Sequence, residues 1–208
     1  MKPMLRVIAY HMILSAYGFW LPNDPRGSWS TTVRRYELAA FGPATKTDST
    51  QSVAHIPHDQ VSRRAAKDAL KYKPVRFTGH QAKLIAEGFA VAAKERGYVF
   101  YALAILPDHA HIVMARHSRP ISEIASHLKA RATRAMGDAG LHPLAEHRSV
   151  SGRTPSPWAR NSWAPFVRDE SHLRNAIRYV ENNPVKSGLR RQRWSCVSRW
   201  EREKKTTR

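Results

Sequence analysis

The sequence is poor in what commits a chain to secretion or to a membrane. A single cysteine, Cys196, stands among 208 residues, which excludes an intrachain disulfide and a thiolate metal site and fits a reducing compartment. No apolar run approaches the roughly 18 to 20 residues that cross a bilayer. Met1-Lys2-Pro3-Met4-Leu5-Arg6 leads only into a short apolar stretch interrupted by His11. The expectation is a protein of the cytoplasm without membrane contact, nucleoid-associated if bacterial. Acidic residues are scarce too: 16 Asp plus Glu face 35 Lys plus Arg, a net charge of +19 with His neutral. Such a surplus repels itself unless a polyanion matches it, so nucleic acid is the candidate partner, although charge names a partner class and not a reaction. With 42% hydrophobic residues the chain can bury a core, which sets aside collagen-like, low-complexity and disordered classes.

The apolar pattern gives an order of elements. Residues 5 to 17 are apolar and β-branched and precede Gly18, Pro22 and Pro25, so they read as a central strand. Residues 18 to 29 are dense in turn formers and form a loop pinned by Trp20 and Trp29. A loop-rich insertion at about 30–75 follows, its stretch 42–57 showing little periodicity and a short helix covering 58–72. Thr78-Gly79-His80-Gln81 has capping-box spacing and opens a helix that Gly97 stops. Two strands, 98–106 and 109–115, are joined at Pro107-Asp108, and apolar residues three and four apart predict an amphipathic helix over 121–136. After a loop over 137–164, Phe166-Val167 is a short strand. Asp169 caps a last helix that Pro184 ends. The order β, α, β, β, α, β, α predicts an α+β fold, a ferredoxin-like antiparallel sheet with packed helices. Residues 190–208 read as a basic tail, solvated or grazing DNA.

Two segments carry chemistry. His109-Ala110-His111 opens a strand, where residues two apart share a face and can grip one cation. The alternative is a pair of strand-edge histidines bonded to water or backbone. Tyr179 and Asn183 lie four apart on one helix face, a phenol one turn from a carboxamide. There the alternative is a tyrosine packed on the core, with Asn183 at a helix end before Pro184.

Leu106-Pro107-Asp108-His109-Ala110-His111-Ile112-Val113 and Tyr179-Val180-Glu181-Asn182-Asn183-Pro184-Val185 together resemble the REP-associated tyrosine transposases. These belong to the HUH single-strand DNA transposases of the insertion-sequence type. The first segment is similar to the family's Leu-Pro-x-His-x-His signature and the second to its Tyr-x-x-x-Asn-Pro-Val helix. Trp163-Ala164-Pro165-Phe166 and Arg168-Asp169-Glu170 add to a likeness that spans most of residues 5–189. The resemblance implies a catalytic domain over 1–189 in which His109 and His111 bind Mg²⁺ or Mn²⁺, Asn183 completes the metal site and Tyr179 is the nucleophile. It implies an endonuclease and strand transferase working through a covalent 5′-phosphotyrosine, with single-stranded or REP-like hairpin DNA as partner. A homodimer is compatible with it. Ala110 is small for a position where the family expects a larger hydrophobic residue, and the insertion exceeds what a minimal member needs.

Lys129, Arg131 and Arg134 on one helix and Arg174, Arg178 and Lys186 near another could track a DNA backbone or form solvated faces. Trp20, Trp29, Trp158 and Trp163 could stack on unpaired bases, although a loop tryptophan more often plugs a core. His11 reads as structural. Two other functions fit the same residues: a DNA- or RNA-binding regulator on this fold without catalysis, and a metal-dependent nuclease that uses water and leaves Tyr179 structural.

Overall fold

The computed structural model describes residues 7–47, 53 and 55–201. Among these, four strands form one antiparallel sheet in the order β2-β3-β1-β4: β1 (Ala9–Ser15), β2 (Phe100–Ile105), β3 (His109–Ala115) and β4 (Phe166–Val167). The helices are α1 (Tyr36–Ala39), α2 (Gln60–Asp68), α3 (Gly79–Arg96), α4 (Ile121–Asp138) and α5 (Glu170–Lys186). The series β1-α3-β2-β3-α4-β4 with this strand order is the ferredoxin-like arrangement that the pattern predicted. No helix among the described residues is long and apolar enough to cross a membrane.

The period-two alternation of strands divides the sheet into two faces. Met12 and Leu14 of β1 and Ile112 and Met114 of β3 point to one side, where Ile85, Phe89 and Leu128 of α3 and α4 complete the main core. Ala9 and Val113 point to the other side, where Leu173, Ala176 and Val180 of α5 cover them. His11, His109 and His111 share the parity of Ala9 and Val113 and therefore lie on the face that α5 overlies.

Local chemistry sets the element ends. Thr78 Oγ1 accepts from Gln81 N at 3.2 Å while Gln81 Oε1 accepts from Thr78 N at 2.8 Å, the reciprocal cap read from the sequence. Asp169 caps α5 by accepting from His172 N at 2.8 Å. In the middle of α3, Gly88 lets α4 approach: a Cβ there would sit 2.6 Å from Ala132 Cα.

Two expectations change, and the insertion gains a part in the core. Pro184 does not end the last helix, which continues to Lys186. Proline loses its own N–H and crowds the carbonyl four residues back, but the residues after it keep their donors, and here the closing contacts fall further on, with Leu189 N bonded to Pro184 O at 2.8 Å beyond Gly188 at φ 74. The insertion contributes to the core through Leu38, Ala66 and Leu70, all buried. Residues 190–201 are not a solvated extension: Gln192 takes both backbone groups of Ile105, accepting from its N–H at 2.8 Å and donating to its carbonyl at 2.7 Å. Ser198 N bonds Phe100 O at 2.8 Å, so this segment covers the open edge of β2, which would otherwise be free to pair. Residues 202–208 of the expected tail lie outside the described residues.

Candidate active site

β1, β3 and α5 all contribute to a cleft of about 1820 Å³ whose lining includes His11, His109, His111, Tyr179 and Asn183. His109 is the first residue of β3 and His111 shares its face, while α5 carries Tyr179 and Asn183 one turn apart. The fold thus brings all four sequence-predicted site residues to one place and adds His11.

The two strand histidines meet through the nitrogens that a cation would need. His109 Nε2 lies 2.9 Å from His111 Nε2. His109 Nδ1 lies 2.7 Å from Asp108 Oδ1, and since a carboxylate only accepts, Nδ1 holds a proton, which leaves Nε2 as the edge where the unprotonated ring would offer its lone pair. This is the carboxylate–histidine pairing that orients imidazoles at metal sites. Burial would raise the Asp108 carboxyl, but the hydrogen bond and charge of His109 and the charge of Arg76 outweigh it and hold it below the usual value. Arg76 Nη1 is 3.6 Å from Asp108 Oδ2.

His111 is 3% exposed. Its burial, reinforced by His109 and His11, lowers its pKa well below the usual 6.5, so the ring is neutral and can bind a cation. Burial, with a smaller contribution from His172, likewise takes His11 down to about 4. His11 Nε2 sits 3.0 Å from His111 Nδ1. That is the opposite ring edge from the one facing His109, which keeps His11 out of a shared coordination sphere.

Tyr179 stands over this row. Its ring is edge-on to His111, with centroids 5.5 Å apart, and 5.8 Å from His11. It is 43% exposed, while Asn183, one turn on, is buried. Lys186 Nζ lies 5.6 Å from the Tyr179 ring centroid. Among the described residues no group of three or more His, Cys, Asp or Glu side chains is gathered to hold a metal ion. The side chains that line the cleft here include two imidazoles and the carboxamide of Asn183, nitrogen and oxygen groups of the kind that bind divalent ions.

The predicted basic residues separate. Arg134 lines the cleft. Lys129 is pinned by the carbonyls of Ala159, Arg160 and Asn161 at 2.8, 3.3 and 3.1 Å, with burial lowering it to about 8. It holds the cleft wall together. Arg131 turns away to Glu95, 2.6 Å from Oε1. Arg174 pairs with Glu170 at 3.5 Å and lies over Trp200, and Arg178 is exposed on α5. Arg34, Arg35 and Arg160 line the cleft without having been singled out, because nothing in their local sequence marks them.

The tryptophans separate as well. Trp158 is a core plug against Phe77, ring centroids 4.8 Å apart. Trp20 sits beneath Arg26, whose guanidinium carbon is 3.9 Å from the ring centroid. Trp29, 47% exposed, packs on Trp163 with ring centroids 5.9 Å apart, and both line the cleft.

No protein-family model matches the chain, and no curated protein matches it. Among solved structures it is similar to a REP-associated tyrosine transposase bound to a REP hairpin, at 13% identity with a TM-score of 0.47, over 91% of this chain and 74% of that one. It is also similar to a candidate transposase of Deinococcus radiodurans R1, at 15% identity with a TM-score of 0.40, over 88% of this chain and 95% of that one. Likenesses this distant carry no chemistry across, and the site is understood from its own residues.

Proposed function

We propose that the protein is a metal-dependent endonuclease and strand transferase for single-stranded DNA, of the HUH transposase kind, with Tyr179 as nucleophile. The observation that carries this reading is the placement of an exposed tyrosine edge-on to His111, 5.5 Å between centroids, above two histidine Nε2 atoms 2.9 Å apart. The motif resemblance of the His-x-His strand and the Tyr-x-x-x-Asn-Pro-Val helix supports it and makes REP-like hairpins the expected substrate.

In the cleavage step the Tyr179 phenol oxygen attacks phosphorus. The bond from phosphorus to the 3′ oxygen breaks, the phenol proton is lost, and the leaving oxygen takes up a proton to become a 3′-hydroxyl. The 5′ side stays on the protein as a phosphotyrosine. In the joining step another 3′-hydroxyl attacks that phosphorus and Tyr179 recovers its proton, so the number of phosphoester bonds is unchanged and no nucleotide triphosphate is needed. Mg²⁺ or Mn²⁺, held by His109, His111 and the amide oxygen of Asn183, would polarise the scissile phosphate and offset the charge that develops on it. Lys186 supplies a further positive charge beside the nucleophile. Arg34, Arg35, Arg134 and Arg160 along the cleft suit a phosphate backbone, and Trp29 and Trp163 suit unpaired bases.

The test is nicking of an end-labelled hairpin with single-stranded flanks. Wild type with Mn²⁺ should release a fragment with a free 3′-hydroxyl, and His109→Ala should lose nicking by at least tenfold while melting like wild type. Undiminished nicking in chelator or in His109→Ala would overturn the metal-dependent reading.

A further inference from the structure

An imidazole that binds a cation through Nε2 must carry its proton on Nδ1. For His109 that condition is met by Asp108. His111 has no carboxylate at its Nδ1. What stands there is the Nε2 atom of His11, 3.0 Å away.

A neutral His111 has one proton and two places for it. If it sits on Nε2 it fills the space toward His109 Nε2, 2.9 Å away, and blocks the pair. If it sits on Nδ1 it points at His11, and His111 presents a bare Nε2 to that of His109, two lone pairs 2.9 Å apart that repel each other unless a cation lies between them. The choice depends on whether His11 accepts or donates.

We propose that His11 is a positioning residue whose Nε2 accepts the Nδ1–H of His111, fixing the tautomer in which the His109–His111 pair can take a divalent cation. This rests on the metal-site reading of that pair. The two ligands would then be oriented from opposite ends of one hydrogen-bonded row, His109 by Asp108 and His111 by His11. Geometry favours this role over ligation: His11 Nε2 already faces the ring edge of His111 that points away from His109. Its place in the fold is also fixed, because β1 pairs with β3 in a register that sets Ile13 opposite His111 and His11 diagonal to it, so the contact is built into the sheet.

The experiment compares wild type, His11→Leu and His11→Gln as full chains. In Gln the terminal amide oxygen can reach the acceptor position of Nε2, whereas Leu offers no acceptor. Binding of Mn²⁺ is read by the electron-paramagnetic-resonance signal of the free ion, and the His111 tautomer by nitrogen-15 NMR of each chain at one fixed concentration of diamagnetic Mg²⁺. Wild type should show His111 protonated on Nδ1. His11→Leu should move that proton toward Nε2 and weaken Mn²⁺ about 10- to 100-fold, the range seen on losing an outer-shell partner, and His11→Gln should recover most of the affinity. A His111 protonated on Nε2 in wild type, or Leu and Gln variants that bind Mn²⁺ alike, would overturn the proposal. Failure of wild type to bind Mn²⁺, or binding that survives His109→Ala, would instead bring down the metal-site reading on which it stands.

Discussion

Phe19 lies flat on the imidazole of His109, the ring centroids 4.6 Å apart and the planes 10° from parallel. The loop at 18–29, whose part in the site no motif announces, is therefore a wall that restricts rotation of a candidate ligand already tethered by Asp108. An aromatic contact of this kind is worth about 0.5–1.5 kcal/mol. Phe19→Ala should weaken Mn²⁺ about two- to tenfold in titration calorimetry without changing the number of sites. Unchanged affinity would mean that Asp108 alone holds the ring.

That loop is anchored by a buried ion cluster, which makes its stability depend on pH. Asp24, 1% exposed, accepts from Arg26 Nε at 2.8 Å, from Arg26 Nη2 at 2.9 Å and from Arg63 Nε at 3.2 Å. Burial would raise its pKa, but the hydrogen bonds and charges of the two arginines outweigh it and hold it below 3.8. A carboxyl lowered in the folded state contributes stability that is fully present above its unfolded pKa and lost as pH falls through the folded one. Asp24→Asn should cost about 2 kcal/mol at neutral pH, since it removes the charge from the hydrogen bonds that the buried carboxylate accepts from Arg26 and Arg63. The gap to wild type in denaturant titrations should stay constant from pH 7 to about 5 and close below about 4. A gap independent of pH would show that the cluster contributes shape and not charge.

Gly88 tests the packing of the two helices behind the sheet. Alanine is the better helix former by about 1 kcal/mol, yet its Cβ would press on Ala132 backbone atoms at 2.6 Å. Overpacking at a rigid contact costs about 1–3 kcal/mol, so Gly88→Ala should lower Tm by a few degrees. A rise in Tm would mean that α4 yields easily.

The parts of this molecule that depend on neighbours in sequence are legible in it, and the parts that depend on register are not. Thr78 and Gln81 announce their cap because both partners lie within one turn. His109 and His111 announce a shared face because strand parity is local, and the same holds for Tyr179 and Asn183 on α5. His11 gives no such sign: its partner is 100 residues away, and only the β1–β3 register joins them. Lys129 looks like a free cation on an amphipathic helix until the carbonyls of 159–161 fold over it. The segment after Leu189 looks like a solvated basic tail because its arginines dominate the composition, while the glutamine that docks it on Ile105 is inconspicuous. Pro184 signals a helix end correctly in kind but two residues early, because a helix near its natural stop needs few further hydrogen bonds.

The most direct measurement of the central claim is the mass of the covalent product. Wild type incubated with a hairpin carrying its single-stranded flanks and Mn²⁺, then denatured and digested, should yield one peptide bearing a nucleotide on Tyr179. Tyr179→Phe, which keeps the ring against the histidines and loses only the hydroxyl, should bind the same DNA and give neither adduct nor nick. A Phe variant that still nicks, or an adduct on Tyr10, Tyr17 or Tyr101, would show that Tyr179 is not the nucleophile.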